Sequence, residues 1–382
     1  MHRSSLLSVL ILSALLRSQS SQTSPQQLVQ DAMEKQKAGD LAGAITGYKQ
    51  FLKLHPEATP IHANLGVALA GLGRYGEAVS EYKVALKQSP TLSAARLNLA
   101  LAYYKMGRIS DAATQLVRVH REDPRNAQAV LLLGDCYLRM GKNQEAITLL
   151  QPISKAHPDD LAVVYMLGTA LLRNKQRDEG AAVIDRILRN GDSAESHLLL
   201  GMTKFEAMEY PDAIADLTKA AEINPNLPDV YSYLGQAQMA SGDMKAARDA
   251  FEKELAVDPN DFESNVRLAV LLKQDGNYER ARELLNRSLL VRPNDPGALY
   301  QVGATYLAAG DMNRALGALE PLVKEFPHFI EAHVSLAQVY YRLRRKEDGD
   351  REREIVQKLK ADQDAQLQKA KGEAQPRTQS PQ

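Results

Sequence analysis

The stretch "GRYGEAVSEYKVALKQSP" (residues 73–90) decides the fold. Its residues favour helix, yet propensity does not account for the order of side-chain sizes. Ala78 and Ala85 are small, Tyr82 between them is large, and Pro90 ends the segment. The order recurs. A step of about 34 residues carries Ala78, Tyr82 and Pro90 onto Ala112, Leu116 and Pro124, then onto Ala146, Leu150 and Pro158. After an irregular stretch it returns as Ala213, Leu217 and Pro225, as Ala247, Phe251 and Pro259, as Ala281, Leu285 and Pro293, and as Ala315, Leu319 and Pro327. Upstream, Ala44, Tyr48 and Pro56 keep the same frame.

A second signature precedes each of these. It reads "ANLGVAL" at 63–69, "LLLGDCY" at 131–137, "YMLGTAL" at 165–171, "LLLGMTK" at 198–204, "SYLGQAQ" at 232–238 and "YQVGATY" at 300–306. Its apolar positions fall on one face of a helix. A glycine closes most of these first segments, among them Gly39, Gly73, Gly107, Gly141, Gly242, Gly276 and Gly310, as a left-handed helix stop does. Each unit therefore reads as two helices joined by a tight turn. Gly66 and Ala78 are expected to let the two helices of a pair approach closely, and Tyr82 to fill the gap towards the next pair.

The pattern L-G-x2-Y, then A-x3-F, then P resembles the tetratricopeptide repeat. The resemblance covers ten units, near 25–58, 59–92, 93–126, 127–160, 161–193, 194–227, 228–261, 262–295, 296–329 and 330–361. It implies an all-α fold, a right-handed superhelical solenoid of about ten helix-turn-helix repeats. It also implies that first helices line a concave groove where partner proteins or peptides bind. The tryptophan usual in the first helix is missing: His62, Arg96, Val130, His197 and Tyr231 stand there. The unit at 161–193 departs most, with Lys175 for the turn glycine, Gly180 for the alanine and Asp192 for the proline, so a hinge is expected near "RNGDSA" (189–194).

The remaining sequence narrows the class. Lys+Arg and Asp+Glu number 47 each, with no basic excess to grip nucleic acid. His2 and Arg3 before the apolar run Leu6–Leu16 read as an export signal, cleaved near Ser20, and the run is too short to span a membrane. No cysteine follows it to carry a lipid, and Cys136, the single cysteine, cannot form a disulfide within the chain. Residues 362–382 read as a disordered polar tail. "GLGRYG" (71–76) mimics a dinucleotide fingerprint but sits in a helix–helix turn with no strand beside it. No nucleophile–base arrangement and no metal-ligand spacing appear, so neither catalytic residue nor cofactor is expected.

The groove is the one candidate site. On the family's geometry, the fifth, ninth and twelfth residues of each unit face it. Large members of that stripe are the expected contacts: Tyr104, Leu138, Tyr165, Met202, Phe205, Met239, Tyr300 and Tyr341. An apolar or aromatic peptide is the expected occupant, because the family's basic carboxylate-clamping set is not evident. The resulting expectation is an exported, non-enzymatic scaffold in the cell envelope or periplasm. A sugar-contacting accessory of polysaccharide synthesis or secretion and a self-assembling structural array stay open beside it.

Overall fold

A computed structural model of the chain describes residues 24–189 and 191–373. The expected export signal lies outside the described residues. Among them are twenty α-helices and no strand. The chain forms two compact units, residues 24–106 with 114–124, and residues 107–113 with 125–373. The first holds the hairpins α1 (Pro25–Lys37) with α2 (Leu41–Leu54) and α3 (Thr59–Gly71) with α4 (Tyr75–Gln88), then α5 (Ser93–Lys105) and most of α6 (Ile109–Glu122). The second pairs α7 (Ala127–Arg139) with α8 (Asn143–Ala156), α9 (Leu161–Arg173) with α10 (Arg177–Leu188), and α11 (Ala194–Glu206) with α12 (Tyr210–Ile223). It continues through α13 (Val230–Ala240) with α14 (Met244–Val257), α15 (Phe262–Gln274) with α16 (Tyr278–Val291), α17 (Pro296–Ala308) with α18 (Met312–Glu325), and α19 (Ile330–Arg342) with α20 (Lys346–Glu373).

What joins the helices of a pair is a fit between a missing side chain and a large one. A methyl group added at Gly66 would lie 2.5 Å from the Tyr82 ring, and one at Gly235 would lie 2.6 Å from the Phe251 ring. Leu319 fills the same place against Gly303. Tyr82 therefore packs back onto its own partner helix, and not towards the next pair as the order of sizes suggested. The alanine one turn earlier, Ala78 or Ala247, is wholly buried beside it.

Consecutive hairpins are tied by the residue that replaces the missing tryptophan. His62 Nε2 lies 2.9 Å from the Pro56 carbonyl and Nδ1 2.6 Å from Glu81 Oε2. His333 repeats this with the Pro327 carbonyl at 3.1 Å and Glu352 at 2.5 Å. Arg96 donates to the Pro90 carbonyl, and Asn265 Nδ2 donates to the Pro259 carbonyl at 3.0 Å. In each case a polar side chain satisfies a carbonyl left over where proline has ended the preceding helix.

One expectation changes here. The irregular hairpin, α9 with α10, joins the packing of its neighbours. Its Ile184 and Ile187 share one unbroken core with Val130, Leu199 and Ala250, and Ser193 starts α11 with a reciprocal capping box to Ser196. The polar tail is helical well past residue 361, since α20 runs to Glu373, a 28-residue helix whose mixed charges suit a solvated surface.

The turn glycines adopt positive φ, 72° at Gly73 and 91° at Gly242. Lys175, Met208 and Arg344 take the same turn position at 60°, 64° and 61°, where a Cβ is strained. Met208 is 73% exposed, so its side chain offsets little of that strain. Met208→Gly is expected to raise stability by about 0.5–1 kcal/mol. Gly235→Ala is expected to cost about 1–3 kcal/mol by overpacking Phe251. Urea denaturation of the full chain checks both.

Candidate functional site

Within the second unit the first helices α7, α9, α11, α13 and α15 surround a cavity of ≈ 430 Å³. Its walls turn inward because α7 meets turns that follow it far along the chain. Arg139, at the end of α7, bonds Asp135 one turn back at 2.7 Å and reaches Asp258 at the end of α14. Arg292, just past α16, donates from Nε to the Arg139 carbonyl at 2.8 Å and lies over the Phe262 ring at 3.9 Å. The inner face of these hairpins is thus bridged by side chains, and what stays accessible is a chamber and not a continuous trough.

The chamber's second wall is α13 with its partners. Asp229 precedes α13 with φ 72° and forms an ion pair with Arg173 of α9 at 2.9 Å. Arg173 also donates to Tyr233 Oη at 3.1 Å and to the Leu138 carbonyl at 3.4 Å. No side chain of α13's own first turn caps that helix. Glu254, wholly buried on α14, does so instead, accepting from the backbone N–H groups of Asp229, Tyr231 and Ser232 at 2.9, 3.1 and 3.2 Å. Asp261 caps α15, and its Oδ1 accepts both from Ser264 N at 2.7 Å and from Ser232 Oγ at 3.0 Å.

Three carboxylates, Asp229, Glu254 and Asp261, consequently crowd the start of α13. Burial, then the charges of Asp261 and Asp229, push Glu254 up to about 9. Burial, then Asp229, push Asp261 up to about 6. Both acids hold protons more tightly folded than unfolded, so they make stability fall as pH rises. For Asp261 the window runs from about pH 4, its ordinary value, to about pH 6.

Of the expected contacts, the chamber brings together Leu138, Tyr165 and Phe205. The Phe205 ring meets the Tyr233 ring edge-on at 6.1 Å. Met202 is 2% exposed and packs into the core with Leu198 and Leu199, so it is a core residue and not a contact. Met239 packs against the α15–α16 core. Tyr300 bonds Ser335 at 3.3 Å and rests on Phe329 with ring centroids 5.3 Å apart. Tyr341 donates to Asp350 at 2.7 Å within its own hairpin. Tyr104 lies half-buried in the first unit. The charged lining, above all Arg139, Arg173, Asp258 and Asp261, was missed. Asp135 and Gln236 fell on the predicted stripe, and Asp135–Arg139 is an i,i+4 pair; those were the signals available.

Among the described residues no cluster of three or more His, Cys, Asp or Glu side chains could hold a metal ion. His197 is engaged by Asp192 at 2.7 Å and Asp216 at 3.0 Å. Burial pushes the Cys136 thiol up, away from the thiolate a nucleophile needs. No described helix is long and apolar enough to cross a membrane.

Hairpins of this geometry, stacked so that first helices share an inner face, define a helical repeat protein. The chain belongs to the tetratricopeptide repeat family: the profile described as tetratricopeptide repeat protein 21 N-terminal ARM repeat matches residues 101–316, over half its length. Further tetratricopeptide profiles match residues 31–93, 69–119 and 302–349. Such repeats typically bind proteins or peptides, which makes the chain a protein-binding scaffold in class. A curated relative, the Hsp70-Hsp90 organizing protein of Triticum aestivum, is 45% identical over 51 residues, 13% of this chain and 9% of that protein. A tetratricopeptide repeat protein from Parabacteroides merdae superposes with TM-score 0.53 at 18% identity, over 69% of this chain and 98% of that one. The Cut9–Hcn1 hetero-tetramer of the APC/C gives TM-score 0.53 at 16% identity, over 88% and 80%. At these identities both are likenesses of fold.

Asp261→Asn keeps the Oδ1 acceptor that caps α15 and removes a crowded carboxylate that is charged at pH 7.5. It is expected to stabilise the chain at pH 7.5 by on the order of 1–3 kcal/mol, a gain that vanishes below about pH 4. Urea melts of both proteins across that range check it.

Proposed function

We propose that the chain is a non-enzymatic scaffold of the cell envelope or periplasm that holds a partner polypeptide at the inner face of its second unit. The observation that carries this reading is the chamber itself. Five first helices converge on it, and it offers large aromatic side chains, Tyr165 and Phe205, among hydrogen-bonding groups. That mixture of broad apolar contact and a few oriented polar groups is what recognition sites use. The envelope setting draws its support from the export-type sequence before residue 20.

The sugar-binding reading has one observation in its favour. Carboxylates and an amide, such as Asp135 and Gln236, stand beside the aromatic rings, as they do where sugars are stacked and hydrogen-bonded. The two readings part in one experiment. A photo-crosslinking residue is placed at Phe205, and as a control at Glu222, which is exposed on α12. Irradiation in the native cells is expected to give a discrete polypeptide adduct from position 205 and none from 222. Glycan adducts at 205 would favour the sugar reading, and equal labelling at both positions would remove the chamber from either. Cell fractionation of the same samples tests the envelope setting, which a cytoplasmic location of the mature chain contradicts.

A further inference from the structure

The chamber's charges do not balance. Six carboxylates line it, Asp135, Glu206, Asp229, Asp258, Asp261 and Glu263, against the guanidinium groups of Arg139, Arg173, Arg267 and Arg292. Each guanidinium faces a carboxylate, although Arg267 Nε makes no hydrogen bond. Arg139 holds Asp135 and Asp258, and Arg173 holds Asp229, Tyr233 and the Leu138 carbonyl. Arg267 pairs with Glu263 at 3.4 Å, and Arg292 with Glu263 at 3.5 Å and with the Arg139 carbonyl. An anionic ligand would meet the surplus carboxylates, and at Arg139 or Arg173 it would have to break a half-buried pair, which leaves a carboxylate unpaired at high cost.

The acceptors are differently placed. Both hydrogen bonds to the Asp261 carboxylate fall on Oδ1, so Oδ2 takes neither, and no arginine or lysine pairs with it. Gln236 lines the chamber at 8% exposure, and its amide makes no hydrogen bond within the protein. It lies one helical turn beyond Ser232, the residue that bonds Asp261, so the free amide and the carboxylate sit on the same face of α13. An apolar side chain filling the chamber would cover the Gln236 amide without giving it a hydrogen bond, whereas a polar ligand supplies one. Tyr165 and Phe205 add ring faces, which attract cations.

We infer that the chamber receives a cationic side chain, arginine above lysine, from the partner polypeptide, seated between the Asp261 carboxylate and the Gln236 amide. Arginine is preferred because its planar fork can meet two acceptors at once, whereas an ammonium acts as a point charge. The inference rests on the reading of the chamber as a polypeptide-binding site and names the group that the site selects.

The test uses the full mature chain. Random heptapeptides displayed on phage are panned against it, and the enriched peptides are synthesised with each basic residue kept, or replaced by citrulline, which has arginine's shape without its charge. Affinity is read by fluorescence anisotropy. Enriched peptides are expected to share an arginine or lysine, and citrulline is expected to weaken binding about tenfold or more. Asp261→Asn should lose the same factor towards the arginine peptide while binding the citrulline peptide as the parent chain does. Competition by free spermidine at concentrations matching the peptide would overturn the assignment to a polypeptide side chain. Enriched peptides without basic residues, or citrulline peptides that bind equally well, would overturn the cationic specificity. They would leave the polypeptide-binding reading standing wherever Phe205→Ser abolishes their binding. If no peptide is enriched, that reading falls, and the cationic pocket with it.

Discussion

The seating of one large side chain in the gap left by one absent Cβ governs this structure. Where Phe251 lies on Gly235, Tyr82 on Gly66 or Leu319 on Gly303, the absent Cβ lets the two helices of a hairpin approach closely, and a side chain added at the glycine would clash. The large residue of the second helix is seated inside its own hairpin. First helices are left with a face free of that packing, and in the second unit those faces converge. The chamber is thus a by-product of how each hairpin closes.

Its chemistry follows from a second constraint. Bringing α7 against the turns after α14 and α16 buries arginines, and buried guanidinium groups need carboxylates and carbonyls. Asp258, Asp229 and Glu263 meet that need. Glu254 and Asp261 serve a separate one, capping α13 and α15, and they crowd Asp229 in doing so. Structural demands alone leave more acceptors than donors facing the chamber, and that surplus gives it a preference of sign.

The repeat, its two helices and the turn glycines were legible in the sequence because they obey local rules: periodicity, a left-handed stop and a terminating proline. Even Lys175 and Met208 could be placed at the glycine position by count alone. The direction of Tyr82 was not legible, since side-chain size says that a gap is filled but not which one. Met202 illustrates the same limit at the site. A fixed stripe assigned it to the groove, and packing with Leu198 and Leu199 puts it in the core instead. Arg139 and Asp258 are 119 residues apart in sequence, and nothing local announces their meeting. His62 and Arg96 were visible as departures from the family pattern, and Asn265 and His333 hold the same place in their own units. Their shared work, holding the carbonyl before the next hairpin, needed coordinates to be seen.

The second unit's inner face closes on itself where Arg139 meets Asp258. Cysteines placed at those two positions, with Cys136 replaced by alanine, allow a direct measurement with a short bismaleimide. Rapid cross-linking within single chains is expected, seen as a compact, fast-migrating monomer on a denaturing gel. Chains that remain uncross-linked, or that link only to one another, would contradict it.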